Sequence, residues 1–200
     1  MIQSNIMKNQ STTQEKLLQA TFEEVYQNGY HGTGLSAILK KANVNKGSMY
    51  HLYKSKKELM LDVIEKIIKY NISEKYDTLL TIEKNIIDEL LLIIKDTSKF
   101  NFIQGCPLNN LIQELSPSDK EFKIALESVY LHFEDIIRIA LDKAILLNEI
   151  KQCDTKELSM FIVALIEGAL ITAKKSQNKQ NYLIVINQLE LQLKNLQLFS

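Results

Sequence analysis

The sequence predicts an all-α fold on three observations. Apolar residues recur with helical period along nearly the whole chain, strand-like alternation is absent, and the only prolines, Pro107 and Pro117, fall where that period breaks. The 200 residues are 46% hydrophobic and 24% charged, enough to bury one core or two small ones. Collagen-like, disordered and low-complexity readings are excluded.

Residues 1–10 read as a polar arm. The first helix is expected from Ser11 or Thr12, with Leu17, Leu18, Phe22, Val25 and Tyr26 on one stripe and a stop at Asn28-Gly29, a pair that tolerates left-handed backbone. Thr33 or Gly34 caps a short second helix over 35 to about 42, and Asn43-Val44 connects it tightly to a third over 45 to about 52. Ser55 then caps a long fourth helix with Glu58 at the third position, a capping box, and Leu59, Val63, Ile64 and Ile68 carry it past residue 70. Five further helices are expected over 83 to 102, 107 to 115, 119 to 147, 155 to 175 and 179 to 198, punctuated by Gly105, Pro117, Asn148 and Asn178. Pro107 suits a first helical turn, where its missing N–H costs nothing. The total is about nine helices, three of them short and basic at the front.

The 24 basic and 24 acidic side chains cancel, but unevenly. Residues 1–60 hold eight Lys against four Glu, and a basic head on an acidic body suggests that the head meets an anionic partner. Two cysteines, Cys106 and Cys153, are too few for a disulfide framework. The start lacks a signal-peptide pattern, and the apolar stretch from Phe161 to Ile171 is broken by Glu167 and too short for a membrane span. A cytoplasmic protein without membrane insertion is expected.

Residues 32–59 carry the functional signal. A helix-turn-helix needs an apolar inner face, a turn accepting positive φ, and a second helix with small and polar groups at its start. Leu35, Ile38, Leu39, Ala42 and Val44 supply the face and the turn, and Lys46-Gly47-Ser48 is small and cationic enough to approach double-stranded DNA. Residues 40–57 contain six Lys and one His with no acid. Thr33, Lys46, Ser48, Tyr50, Lys54 and Lys56 are expected at phosphates, which position without reading sequence. Asn45, Lys46, Met49 and His51 are the candidates for base edges. A solvated Lys-rich face on an ordinary bundle is the alternative for any one Lys, but not for the whole string.

Residues 11–62 resemble the DNA-binding domain of TetR/AcrR-family transcriptional regulators. The resemblance rests on Gly32, Thr33, Ile38, Ala42-Asn43-Val44, Lys46-Gly47-Ser48-Met49-Tyr50, Tyr53, Ser55-Lys56 and Leu59. Asn43 stands where the family usually has Gly, and Tyr53 where it usually has Phe; the Tyr53 hydroxyl is expected to reach solvent or a phosphate. The resemblance implies a helix-turn-helix domain over 11–56 and a helical ligand-binding and dimerisation domain over 57–200. It also implies a homodimer on a pseudo-palindromic operator, most often a repressor, released by a small-molecule inducer. The last helix supports a dimer independently: Tyr182, Ile186, Leu189, Leu193 and Leu196 form a narrow seam, and Ile184, Leu191 and Leu198 a second stripe. Ala164, Gly168, Ala169 and Ala173 before it have close-packing spacing, with monomer core packing as the alternative.

Gly105-Cys106-Pro107-Leu108-Asn109-Asn110-Leu111 resembles a segment of one branch of the family, whose members respond to small hydrophobic or electrophilic compounds. A Cys before a helix N-terminus sits where thiolate is favoured, so Cys106 is either a sensor or a buried small hydrophobe. As a sensor it would make the protein a thiol switch without a reversible ligand, and Lys174 or Lys175 would favour the thiolate if the fold brought one close. Phe100, Phe102, Phe122, Tyr130, His132 and Phe133 fall where the family's inducer cavity usually lies, or are plain core; Asn109, Asn110 and Gln113 offer ligand hydrogen bonds. No phosphate loop, Cys-x-x-Cys or His-Glu-x-x-His occurs, and the three His are far apart, so no catalysis, cofactor or metal is expected.

Overall fold

A computed structural model describes residues 12–198; the expected arm lies outside them. The described residues are helical, and the Ile150–Gln197 bridge is their one strand-like pairing. α1 (Thr13–Asn28) opens with a full capping box, Glu15 N–H donating to Thr12 Oγ1 at 3.1 Å and Thr12 N–H to Glu15 Oε2 at 2.7 Å. It closes on Gly29 at φ 76°. α2 (Leu35–Ala42) ends on Asn43 in the left-handed region, φ 52°, so Asn serves where Gly is usual. α3 (Lys46–Leu52) is capped by Asn45. α4 (Lys56–Val63) starts with Glu58 N–H on Ser55 Oγ at 3.1 Å, but the Glu58 carboxylate reaches back to the Lys54 N–H instead of that of Ser55.

The helix then passes through a π-helical segment, Ile64–Ile68, into α5 (Lys69–Tyr76), followed by one turn, α6 (Thr78–Thr81). π insertions have no signature in apolar periodicity, which is why one continuous helix was expected here. α7 (Ile86–Lys95) is shorter than the expected 83–102. Asp96 Oδ1 accepts from the Ser98 N–H at 3.1 Å and its hydroxyl at 2.6 Å, and this local bonding replaces further helix with a 3-10 turn at Thr97–Lys99. α8 (Pro107–Leu115), α9 (Lys120–Leu146), α10 (Thr155–Lys174) and α11 (Lys179–Leu196) follow, the last three capped by Asp119, Asp154 and Asn178.

The chain divides into two compact units, one ending at Val63 and the other beginning at Ile64. In the first, α1 packs against α2 and α4 around buried Leu17, Val25, Ile38, Met49, Leu59 and Val63. The division falls after Val63 and not after Lys56 because Leu59, Met60 and Val63 belong to this core. In the second, α9, α10 and α11 pack on one another and α7 closes on α9 and α11, burying Ile94, Phe133, Ile137, Ile166, Tyr182 and Leu189. No helix of the described residues is long and apolar enough to cross a membrane.

Candidate functional site

α3 is positioned by what it buries. Met49 is 0% exposed and anchors the helix in the core, which turns Asn45, Lys46, Gly47, Tyr50, His51 and the following Lys54 to the surface. Tyr50 is 47% exposed, with Lys46 Nζ 5.7 Å from its ring centroid. Asn45 Oδ1 accepts from Ser48 N–H at 2.8 Å, so part of the Asn45 side chain is engaged as a cap. A Cβ on Gly47 would approach that Oδ1 to 3.3 Å, so glycine keeps the cap uncrowded.

Four head residues stand otherwise than the sequence reading expected, Met49, Thr33 and Lys56 among the candidate DNA contacts and Tyr53 beside them. Met49 is inside and presents nothing to a base edge. Thr33 is 3% exposed and its hydroxyl donates to Gly29 O at 2.7 Å, which ties the α1–α2 loop. Lys56 Nζ donates to Tyr30 O at 2.7 Å and Thr33 O at 2.8 Å and lies 3.9 Å from the Tyr30 ring centroid, so it clamps the same loop. Periodicity marks which residues form a stripe, but these three are engaged by contacts between elements. Lys41 is paired with Glu23 and Glu24 of α1, which lessens the positive field of the acid-free string. Tyr53 is also buried: its hydroxyl donates to Asp62 Oδ2 at 2.5 Å and meets neither solvent nor phosphate.

The second unit holds a polar cluster in an aromatic setting. Phe100, Phe102 and Tyr182 stack mutually, with centroids 5.1 to 6.4 Å apart. Lys75 Nζ sits 4.0 Å from the Phe100 centroid and donates to Lys99 O at 3.0 Å. Cys106 is the N-cap of α8 without a side-chain cap bond, and its thiol and the Asn109 side chain lie beside the Glu167 carboxyl of α10. Burial first, then the nearby Glu167 charge, pushes the Cys106 thiol well above its ordinary value, the reverse of the expected thiolate. Burial likewise raises Glu167 and lowers Lys75. Tyr76, Tyr130 and Tyr182 are raised by burial and by the charge of Glu167 among their neighbours.

Phe100, Phe102, Cys106, Asn109 and Tyr130 therefore come together. Phe133 is core against Tyr76, with centroids 4.5 Å apart. Asn110 donates to Gln104 O and accepts from Lys174 Nζ at 2.8 Å, and Gln113 bonds Asn109 from an exposed position. Lys174 thus reaches the loop before α8, but its ammonium serves Asn110; Lys175 caps α10 at the surface. His132 bonds Ser73 at 2.8 Å and Phe122 is core. Lys75 and Glu167 were missed. The signal for Glu167 was present, since it is the sole charge within the apolar run 161–171, whereas Lys75 resembles any surface lysine.

The stripe expected to form the dimer seam is turned inward. Tyr182, Ile186, Leu189 and Leu193 are wholly buried within the unit and Leu196 packs on the same core, because the narrow seam is the face α11 turns to α7 and α10. The second stripe is the exposed one: Ile184 and Leu191 are each 55% exposed. On α10, Met160, Phe161, Ala164, Gly168 and Ile171 are exposed as well, and a Cβ on Gly168 would meet nothing within 4 Å.

Residues 17–63 match the model of bacterial regulatory proteins of the tetR family, and residues 84–188 match the C-terminal domain of LmrA/YxaF-like transcriptional regulators. An HTH-type transcriptional regulator from the lacX 3′ region of Lactococcus lactis is 30% identical, with 85% of this chain and 87% of the relative aligned. YxaF of Bacillus subtilis, another HTH-type regulator, is 24% identical over 92% and 96% of the two chains. The crystal structure of reduced Escherichia coli NemR superposes with a TM-score of 0.82 at 24% identity, covering 94% of this chain and 98% of that one. NemR is named a transcriptional repressor.

Proposed function

This chain belongs to the TetR family of bacterial regulatory proteins, a family of DNA-binding transcriptional regulators, and from that membership we propose that it is a cytoplasmic homodimeric repressor released from a pseudo-palindromic operator by a small hydrophobic inducer. The observation that carries the reading is the exposed, acid-free start of α3 seated on buried Met49. Lys46, Ser48, Tyr50 and Lys54 hold phosphates, while Asn45, Lys46 and His51 meet base edges across the opening that Gly47 leaves. Thr33, Lys56 and Met49 hold this surface in shape and do not touch DNA.

The dimer forms through the exposed faces of α10 and α11, with Phe161, Ala164, Gly168, Ile184 and Leu191 at its centre. An apolar face of this kind, made of small and large residues alternately, suits a self-complementary contact about a two-fold axis. Two heads so joined read half-sites whose centres lie about 34 to 36 Å apart, or a multiple of it. The inducer occupies the cluster of Phe100, Phe102, Cys106, Asn109 and Tyr130 and favours a dimer whose heads miss that spacing. The raised thiol of Cys106 favours a reversible ligand over a resting thiolate switch.

Fluorescence anisotropy with the DNA upstream of the protein's own gene, against a scrambled duplex at low and physiological salt, tests the reading. Binding that survives physiological salt on the native duplex alone is expected. Equal, salt-labile binding to both overturns it.

A further inference from the structure

Among the described residues one buried side-chain oxygen has no hydrogen-bond partner, Oε2 of Glu167. The residue is 5% exposed, and its neighbours Cys106 and Asn109 leave this oxygen unserved. Buried carboxyl oxygens are nearly always satisfied, because leaving one unmade forfeits its hydration without return. Lys75 does not supply the bond: its ammonium is engaged by Lys99 O and the Phe100 ring. Nor does Tyr182, whose hydroxyl donates to Ile94 O at 2.7 Å.

Aromatic side chains lie in the neighbourhood of Glu167. Tyr76, Tyr130 and Tyr182 lie close enough to feel the Glu167 charge, and Phe100 and Phe102 stack on Tyr182. Phe100, Phe102, Tyr130 and Lys75 are only partly covered, so the cluster has one flank near solvent. Charge narrows the occupant further. With one acid and one base the cluster carries no net charge that would offset the cost of taking a charged ligand out of water.

We infer that Glu167 anchors the inducer, and that the site takes a neutral ligand with an aromatic body bearing an O–H or N–H donor, received by Glu167 Oε2. The inference rests on the reading of the second unit as the sensor. Stacking on Phe100 and Phe102 holds the body, and the donor supplies the bond that the fold leaves unmade. A methyl ether of the same body loses that bond and keeps the stacking. This is the kind of discrimination a site built around an unpaired polar group achieves.

Calorimetric titration of the full-length protein with 2-naphthol and with 2-methoxynaphthalene tests it. Wild type is expected to bind the naphthol at least tenfold more tightly than the ether. Glu167→Met, which fills the volume without an acceptor, is expected to bind the two within twofold of each other, while Glu167→Gln, which keeps a carbonyl oxygen, retains part of the preference. Equal affinity of wild type for both compounds, no binding of either, or a preference that persists in a folded Glu167→Met protein overturns the inference. The wild-type comparison decides even if that variant fails to fold. Operator release, followed by anisotropy in the same titrations, separates the two levels. Naphthol bound with the expected preference but without release overturns the sensor reading and leaves the site. An inducer that releases DNA and binds wild type and Glu167→Met equally overturns the site and leaves the sensor.

Discussion

Tyr53 donates its hydroxyl to Asp62 Oδ2 at 2.5 Å, and Gln14 Nε2 reaches both, at 3.0 and 3.2 Å. The three residues come from the end of α3, from α4 and from the start of α1, so one polar knot fixes the recognition helix against the two helices that carry it. Where the family usually places Phe, this chain replaces an apolar contact with a directed one. Tyr53→Phe is expected to cost about 1 to 3 kcal/mol, the range for a hydrogen bond to a charged partner whose acceptor is left behind. Urea denaturation followed by helicity reads it.

The same knot makes a prediction about pH. Burial first, then the bond to Asp62, pushes the Tyr53 hydroxyl up to about 12 from its usual 10. The folded state thus holds this proton more firmly than the unfolded chain does. The stability it contributes is complete below pH 10 and is lost as pH rises toward 12. Tyr53→Phe has no such proton, so the gap in stability between wild type and variant is expected to shrink over that window. Parallel melting curves from pH 8 to 12 check it, and a gap that widens refutes the assignment.

Lys46 and Met49 are adjacent turns of one helix with opposite duties. Lys46→Ala is expected to leave stability within about 0.5 kcal/mol and to reduce the salt slope of DNA binding by about one. Met49→Ala is expected to lower stability by about 2 to 5 kcal/mol, the cost of emptying a buried site, and Met49→Leu to preserve operator preference. Competition binding on operators substituted one base pair at a time distinguishes this from a base-reading Met49. A changed preference in the Leu variant is the outcome that restores the role expected from sequence.

What was legible in the sequence follows from what each signal measures. The helix-turn-helix was legible because it is local: Asn43 at φ 52°, the Asn45 cap and the Gly29 stop are all readable within a few residues. The 4-3 spacing of Tyr182, Ile186, Leu189 and Leu193 identified an apolar stripe but not what covers it, and its partner is the same unit's own core. The exposed stripe of Ile184 and Leu191 has the sparser 7-residue spacing, which is the weaker signal. Glu167, Lys75 and Cys106 meet only because α10, α5 and the loop before α8 converge, and no spacing along the chain encodes that convergence.

Cys106 is expected to be a slow nucleophile at neutral pH. Its thiol is pushed up by burial and by Glu167, so the thiolate fraction that reacts is small. Glu167→Gln removes the charge, which raises the thiol, and is expected to speed iodoacetamide alkylation of Cys106 several-fold at pH 8. Cys153→Ser in both proteins isolates the signal, which mass spectrometry can follow. An unchanged rate would mean that burial alone controls the thiol.

Gly168 opposes two effects that a single methyl group separates. Inside a helix, alanine is favoured over glycine by about 1 kcal/mol, and within the subunit nothing lies within 4 Å of the added carbon. Gly168→Ala therefore stabilises an isolated subunit. If α10 packs on its symmetry mate at Gly168, the methyl group enters that contact twice, once from each subunit, and pushes the helices apart. The expected result is a subunit that melts higher at low concentration and a dimer that dissociates at higher protein concentration, read together by melting and sedimentation velocity across a dilution series. Phe161→Glu on the same face is expected to give a folded monomer with little operator affinity, since one head cannot span two half-sites. Should Gly168→Ala strengthen the dimer instead, the two-fold axis passes elsewhere on the α10–α11 face, nearer Ile184 and Leu191.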